Sequence, residues 1–409
     1  MERKLSIKDL DLNHQKALIR VDFNVPLEHG SIKDDTRIRA ALPTIQYALD
    51  QGAAVILLSH LGRPEGFKVA KDSLAPCARR LEELLGRPVK MAHDCIGSEV
   101  EEMVKKLKPG QVLLLENLRF HKGEEHPNQE PHFAEALARL GDLYIDDAFG
   151  CAHRAHASIV NLAHFFPGKA AMGFLMEKEI KYLGNKLKDP ARPFIAILGG
   201  AKISTKFKVI QALMKQADVL LIGGAMAYTF FAAQHIPMGS SLVEKDFIQV
   251  AQEILEIGSQ SRCRLVLPID LVVTQQIKPH ADFQVIQVRD GISQGWEGVD
   301  IGPKTIHLYQ QELQQAKTVF WNGPLGVFEC PPFNKGTQAI AETLSQLSSA
   351  TTIVGGGDSV AAIEAAGLSD RMSHLSTGGG ASLEYIEFGK LPGVEALSPK
   401  STSSLVNKS

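Results

Sequence analysis

Short, continuous apolar runs rich in Val, Ile and Leu recur along the chain, at Ala17–Val21, Ala54–Leu58, Val112–Leu115, Leu143–Ile145, Phe194–Leu198, Val219–Ile222, Thr318–Trp321 and Thr352–Val354. Runs without polar alternation read as strands covered on both faces. Between them lie amphipathic stretches that fit crossover helices: Arg37–Leu49, Leu74–Leu85, Glu99–Lys106, His132–Leu140, Ile203–Lys215, Asp246–Ile257 and Gln338–Leu347. The repeated strand, loop, helix order predicts an α/β fold of doubly wound parallel sheets, whose ligands bind at the carboxyl ends of the strands.

A length of 409 residues exceeds what one core usually serves, so two domains are expected. The best boundary follows Pro167-Gly168, where a polar, lysine-rich stretch at 176–188 ends at Asp189-Pro190 and reads as a connecting helix. It separates a domain over 1–175 from one over 189–390, with a segment 391–409 whose Ser-, Lys- and Thr-rich end from 398 reads as a loose tail.

Composition narrows the partners. A formal charge of −2 offers no global attraction to nucleic acid or an anionic membrane, so anion binding must be local. No run approaches the ~18 apolar residues of a membrane span, and residues 1–12 are charged and polar, so a cytoplasmic protein is expected. Five cysteines form no C-x-x-C pair, which argues against a disulfide framework or a structural zinc. The two halves differ: eleven of sixteen arginines precede residue 187, and 22 of 35 glycines follow it.

The candidate chemistry follows that asymmetry. Arg37, His60, Arg63, Arg119 and Arg154 each fall close to the end of an expected strand, with Asp22 and Asn24 just after the first. Arginine forks hold small anions, and Asp and Asn suit a hydroxylated one. A surface ion pair is the plain alternative for any single arginine, and a turn cap for Asp22. In the second half, Gly199-Gly200 opens onto Lys202 and Lys206, placed at i and i+4 so that both ammonium groups could reach one phosphate chain. The plain alternative is a tight turn with solvated lysines. Gly355-Gly356-Gly357-Asp358-Ser359 strengthens the phosphate reading, because three glycines free helix-start amides and an adjacent Asp can hold Mg²⁺. Neither the Walker pattern nor the dinucleotide G-x-G-x-x-G pattern is present. His153 and His156 lack a carboxylate or cysteine at metal-ligand spacing.

These residues sit in segments that together resemble the phosphoglycerate kinase family: RVDFNVPL at 20–27, SHLGRP at 59–64, ENLRF at 116–120, DAFGCAHRAHAS at 147–158, LGGAK at 198–202, WNGPLGVFE at 321–329, VGGGDS at 354–359 and STGGGASLE at 376–384. The resemblance runs from about residue 5 to 397. It implies two parallel-sheet domains separated by a cleft and joined by a helical hinge, with the C-terminal segment returning to the first domain. It implies that Asp22, Asn24, His60, Arg63, Arg119 and Arg154 bind 3-phosphoglycerate, with Arg37 reaching the transferring phosphoryl group. On the other domain it assigns Lys202 and Lys206 to the nucleotide phosphates, Gly355, Gly356, Gly357 and Ser359 to the phosphate loop, and Asp358 to Mg²⁺. Glu329 would bind ribose, and Gly199, Gly223, Gly224 and Pro324 would line the adenosine pocket. Arg37, Lys202, Gly356 and Gly379 are the expected catalytic set. Departures from the family pattern lie near adenosine: Ala225 where a third glycine is common, Ser359 for a frequent Thr, and Cys330-Pro331-Pro332 after Glu329. Cys151 reads as packing, with a redox role as the alternative.

The implied reaction is phosphoryl transfer between 1,3-bisphosphoglycerate and ADP, giving 3-phosphoglycerate and ATP, with Mg²⁺ bound to the nucleotide, in a monomer. A nicotinamide dehydrogenase is the architectural alternative, weakened by the missing fingerprint. A non-catalytic nucleotide-binding or scaffold protein is the other, although no expected catalytic residue is missing.

Overall fold

The computed structural model describes residues 3–400. Within them the chain divides into two compact units, one of residues 3–180 with 390–400 and one of residues 181–389.

In the first unit six parallel strands lie in the order Val89–Met91, Val112–Leu114, Ala54–Leu58, Lys16–Arg20, Leu143–Asp146, Ala170–Met172. Ala54–Leu58 is buried at every position, as a strand under two helical layers must be. The helix Thr36–Asp50 turns Ile38, Ala41, Ile45, Ala48 and Leu49 inward, onto a core that includes Ile19, Val55 and Leu57. Burying each of the larger side chains contributes about 1.5–3 kcal/mol. The register sets Arg20 level with Leu58 on one side and Asp146 on the other, so the loops that follow three strands emerge together.

The second unit repeats the plan, in the order Arg264–Val266, Val219–Ile222, Phe194–Leu198, Thr318–Asn322, Thr351–Gly355, His374–Ser376. Its core holds Trp321, Tyr309, Ile197 and Leu344. Two of these pin strand ends: Tyr309 Oη donates to the Ile222 carbonyl at 2.5 Å and Trp321 Nε1 to that of Gly323 at 2.8 Å.

Three features differ from the expectation. Beside its parallel sheet the second unit carries a separate three-stranded antiparallel sheet, Phe283–Gln287, Asp270–Thr274 and Glu297–Ile301, which the apolar runs did not reveal. The connecting helix begins earlier than 176, at Phe174, and passes from α-helix over Phe174–Glu179 into a π-helical stretch over Ile180–Lys186. Its start is set from outside: Gly173 has no side chain to cap with, and instead Phe174 N–H donates to Thr44 Oγ1 at 2.9 Å and Leu175 N–H to Asp147 Oδ1 at 2.8 Å. Residues 398–400 are not loose. Ser398 is buried and accepts from Leu5 N–H and Gly168 N–H, and Lys400 Nζ pairs with Asp9 at 2.5 Å. Preceded by the helix Pro392–Ala396, whose Gly393 N–H donates to the Ala152 carbonyl, the segment packs on the first unit. Residues 401–409 of the expected tail lie outside the described residues.

Candidate active site

At the carboxyl ends of the first unit's strands the sequence places a buried arginine, Arg20, which is 1 % exposed. A guanidinium cannot be neutralised, so it must be surrounded by acceptors. Arg20 Nε donates to Ser158 Oγ at 2.8 Å, one Nη to the Val21 carbonyl, and Nη2 lies 3.2 Å from His60 Nδ1. Glu124, fully buried, is 3.9 Å from the same guanidinium and accepts from both Ser158 Oγ and Ser158 N–H. Burial and the charges of Arg20, Arg119, Arg37 and His156 hold His60 well below the usual histidine range, so it is neutral. His156 is pushed down to about 3 by burial and by Arg119, Arg20 and Arg154.

Around this buried centre lie the expected anion ligands. Arg37, in the first turn of the helix Thr36–Asp50, pairs with Asp22 Oδ2 at 2.5 Å. Asn24 Oδ1 accepts from Gly62 N–H at 2.9 Å, and its own N–H donates to Asp22 Oδ1 at 3.3 Å. Arg119 is buried in the turn Leu118–Phe120; its Nη1 donates to the Gly62 carbonyl at 2.8 Å and its Nε lies 3.3 Å from Glu125. Arg63 and Arg154 are exposed, and neither guanidinium has an ion-pair partner among the described residues. Arg20, Arg37, Arg119 and Arg154 all act on the two neutral histidines His60 and His156, or on one another, so the six lie in one patch whose charge comes from the four arginines. Arg63 is tied to it through the backbone of Gly62, its neighbour. Cys151 Sγ lies 3.9 Å from His60 Nδ1, with its thiol pushed up to about 12 by burial, which makes it a packing group.

The second unit builds its strand ends from glycine and carbonyl contacts. Gly199 N–H donates to the Asn322 carbonyl at 3.0 Å, Gly200 N–H to that of Pro324 at 2.8 Å, and Gly224 N–H to that of Leu325 at 3.0 Å. Gly223 N–H donates to the Leu198 carbonyl at 2.8 Å. A Cβ on Gly199 would stand 2.1 Å from the Pro324 oxygen, so the approach of these loops requires glycine there. Gly356, at φ +92°, turns the chain from the strand ending at Gly355 into the helix Gly357–Ala365. The first amides of that helix have no intrahelical acceptor and form an anion-binding end. Ser359 is buried and its Oγ accepts from Gly323 N–H at 2.5 Å, whereas Asp358 is exposed. Gly379 starts a second helix, Gly380–Phe388, with nothing within 4 Å of where its Cβ would be. Glu329 is exposed in a turn beyond Leu325.

The two lysines do not share a helix face, contrary to the i, i+4 expectation. Lys202 is extended and exposed, ahead of a single 3₁₀ turn, Ile203–Thr205. Lys206 caps the helix Phe207–Met214 and points inward. Its Nζ donates to the Gly199 carbonyl at 2.7 Å, the Asn322 carbonyl at 3.1 Å and Asn322 Oδ1 at 2.7 Å. Burial pushes it down to about 8, against the opposing pull of Asp358. Because the 3₁₀ turn stands between them, Lys202 precedes the helical backbone and only Lys206 adjoins the helix, so the i, i+4 relation of a continuous helix does not apply.

The full-length pattern now meets known proteins. A sequence profile described as phosphoglycerate kinase matches residues 7–390. The chain belongs to the phosphoglycerate kinase family. It is 54 % identical over 397 residues to a phosphoglycerate kinase of Moorella thermoacetica, covering 97 % of this chain and 100 % of that one. A phosphoglycerate kinase of Chlamydia trachomatis serovar L2 is 52 % identical over 399 residues, covering 97 % and 99 %. Among solved structures, the phosphoglycerate kinase of Coxiella burnetii aligns with a TM-score of 0.85 at 40 % identity, covering 96 % of this chain and 98 % of that one. That of Pyrococcus horikoshii aligns at 0.84 and 32 % identity with the same coverage. Phosphoglycerate kinase sequence motifs therefore frame the site, but Arg20, Ser158 and Asn322 received no role although they lie in the motifs at 20–27, 147–158 and 321–329, and Glu124 lies outside every motif. Glu124 and Ser158 hold Arg20, and Asn322 holds Lys206, through contacts between distant segments. Arg20 had one readable sign of its own, a charge inside the apolar run Ala17–Val21.

Proposed function

We propose that this protein is a glycolytic phosphoglycerate kinase, transferring a phosphoryl group reversibly between 1,3-bisphosphoglycerate and ADP by direct in-line displacement. The observation that carries the reading is the contrast between the two sets of strand ends, arginine and histidine on one unit and glycine amides with lysine on the other. The first set suits a small, hydroxylated, phosphorylated acid: Asp22 and Asn24 for its hydroxyl and His60, Arg63, Arg119 and Arg154 for its charges. The second suits a polyphosphate: Lys202, Lys206, Gly355, Gly356, Gly357 and Ser359 for the phosphates, with Gly199, Gly223, Gly224, Pro324 and Glu329 toward the nucleoside.

The acceptor carboxylate is already ionised, with an ordinary pKa near ~3.5, so the reaction needs no general base. Catalysis is then positioning and charge neutralisation of a loose transition state. Arg37 reaches the phosphoryl group from the acid side, and Lys202 with the helix starts at Gly356 and Gly379 from the nucleotide side. Arg37 must leave or share its pair with Asp22 to do so. His60, kept neutral by burial and by the neighbouring arginines, donates to an anion without competing for a proton. Asp358, an exposed oxygen donor beside an open helix start, fits Mg²⁺, which favours one or two carboxylates plus phosphate oxygens. When bound there it would neutralise charge on the phosphates.

Both ligands must meet at one phosphoryl group, so the units close about the connecting helix and exclude water from the acyl phosphate. No helix of the described residues is long and apolar enough to cross a membrane; the enzyme works in the cytoplasm, as a monomer.

A coupled assay with 3-phosphoglycerate and Mg-ATP tests the activity, and turnover that depends on both substrates is the expected result. Absence of turnover with a folded protein that still binds Mg-ADP would replace the kinase by a nucleotide-binding scaffold. Small-angle scattering tests closure: the radius of gyration should be smallest with both substrates bound, and an unchanged value across apo, binary and ternary states would remove the hinge while leaving the activity.

A further inference from the structure

We propose that Asp94, Cys95 and His121 form a site for one divalent cation of the Zn²⁺ class, separate from both substrate sites. One carboxylate oxygen, one sulfur and one imidazole nitrogen from these residues all lie within 4.8 Å of one another. They come from two loops. Asp94 and Cys95 follow the strand Val89–Met91, and His121 follows the turn Leu118–Phe120. His121 Nε2 is 2.6 Å from Asp94 Oδ1, and the Cys95 thiol lies against the same carboxylate. Two proton-bearing groups thus converge on one anion, a geometry that a single cation can replace with small movements.

The surroundings hold the donors in place. The His121 ring stacks on Phe133, with centroids 5.3 Å apart. The loop before Cys95 is tied by Lys68 Nζ to the His93 carbonyl at 2.6 Å and by Ala92 N–H to the Leu114 carbonyl at 2.9 Å. Asp94 and His121 side chains are 44 % and 26 % exposed, so solvent reaches two of the donors, whereas Cys95 is buried. Mixed sulfur, nitrogen and oxygen donors in a four-coordinate site suit Zn²⁺ rather than Mg²⁺ or Ca²⁺. A second cluster, Asp22, His60 and Cys151, meets the same distance criterion, but Arg20 and Arg37 lie beside it and would repel a cation.

Binding must displace a proton. The Cys95 S–H bond breaks, its electron pair goes to the metal and the proton to solvent; His121 binds through the Nε2 lone pair and keeps its proton on Nδ1. Because the thiol must give up its proton to bind, affinity should rise with pH. The charged groups that face the site are Asp94, Glu124, Lys68 and His121 itself.

The test uses the full chain, chelator-treated, reduced and titrated with Co²⁺ alone. One equivalent should produce a thiolate-to-cobalt charge-transfer band with the visible bands of four-coordinate Co²⁺, displaced by Zn²⁺. Calorimetry with Zn²⁺ in two buffers of different ionisation enthalpy should show release of about one proton. Cys95→Ser should remove the charge-transfer band, and His121→Gln, at a part-exposed position that tolerates change, should weaken Zn²⁺ more than about tenfold. Cys151→Ser should leave the band intact. A titration without the charge-transfer band, a band lost with Cys151→Ser but kept with Cys95→Ser, or an unchanged affinity in His121→Gln would each overturn the site.

Discussion

Arg20 Nη2 lies 3.2 Å from His60 Nδ1, and because a guanidinium can only donate, that ring nitrogen is the acceptor and the His60 proton sits on Nε2. Lysine at position 20 could not serve Ser158, Val21 and His60 together. Arg20→Lys should therefore raise KM for 3-phosphoglycerate at least about tenfold, with KM for the nucleotide unchanged. Nitrogen NMR of the wild type should show the Nε2–H tautomer and no titration of His60 as pH falls through about 6.5. Equal losses for both substrates would mean that Arg20 serves only the fold.

Arg37 is paired with Asp22 yet keeps about a third of its side chain exposed, 36 %, so it can turn toward a ligand. On the role proposed for Arg37 at the transition state, Arg37→Ala should cut turnover by about 10³ or more, with Mg-ADP affinity unaltered. A tenfold loss or less would exclude that role. Calorimetry with Mg-ADP supplies the binding comparison.

Lys206 is pushed down to about 8, so near that pH a fraction of the molecules carry it neutral. A polyphosphate brought beside it would raise its pKa. Mg-ADP binding at pH 8 should then take up part of a proton, measurable as a buffer-dependent binding enthalpy, and Lys206→Met should abolish the uptake. Uptake that persists in the variant would point to another group.

Gly199→Ala would place a Cβ 2.1 Å from the Pro324 carbonyl oxygen, a contact with backbone that cannot yield cheaply. The expected cost is about 1–3 kcal/mol, seen as a lower Tm, with nucleotide affinity lost and 3-phosphoglycerate affinity retained. Calorimetric titration with each ligand separates the two; parallel losses would show that the damage is global.

His156 predicts an acid limb of stability. Its folded pKa of about 3 is below the unfolded value near 6.5, so its contribution is complete above about 6.5 and is lost as pH falls toward 3. Asp146 and Asp147, pushed up by burial to about 7 and about 6, act with the opposite sign: their contribution is complete below about 3.9 and lost as pH rises through those values. His156→Gln should flatten the fall of unfolding free energy between pH 6.5 and 4 in urea titrations, whereas Asp147→Asn should flatten the change above pH 5. Slopes unchanged from wild type would place the titration elsewhere.

The central strands were legible because burial on both faces demands continuous apolar runs, as in Ala54–Leu58 and Phe194–Leu198. The shorter outer strands were not. Val89–Met91, Ala170–Met172, Arg264–Val266 and His374–Ser376 have three residues each, too few for a period to show; the equally short Val112–Leu114 was legible because Leu115 extends it into a four-residue run of Val and Leu. Phe283–Gln287 begins with three exposed residues, two of them apolar, so its pattern carries no core signal. The Ser-rich end at 398 read as loose because its anchors are Leu5 and Gly168, more than two hundred residues away.

By itself the chain's sequence determined the alternation of strands and helices, the arginine-rich and glycine-rich halves, and which residue types stand just beyond the strands, since these depend only on local pattern and covalent order. Only the tertiary structure decided what each group touches. Parallel register sets Arg20 beside Leu58 and Asp146, and Asn322 beside Leu198 and Gly355, across separations that no local spacing rule spans. That register makes His60 a neutral donor held by Arg20 and turns Lys206 into a buried ammonium among carbonyl oxygens, because pKa and hydrogen-bond partner are properties of the surroundings and not of the residue.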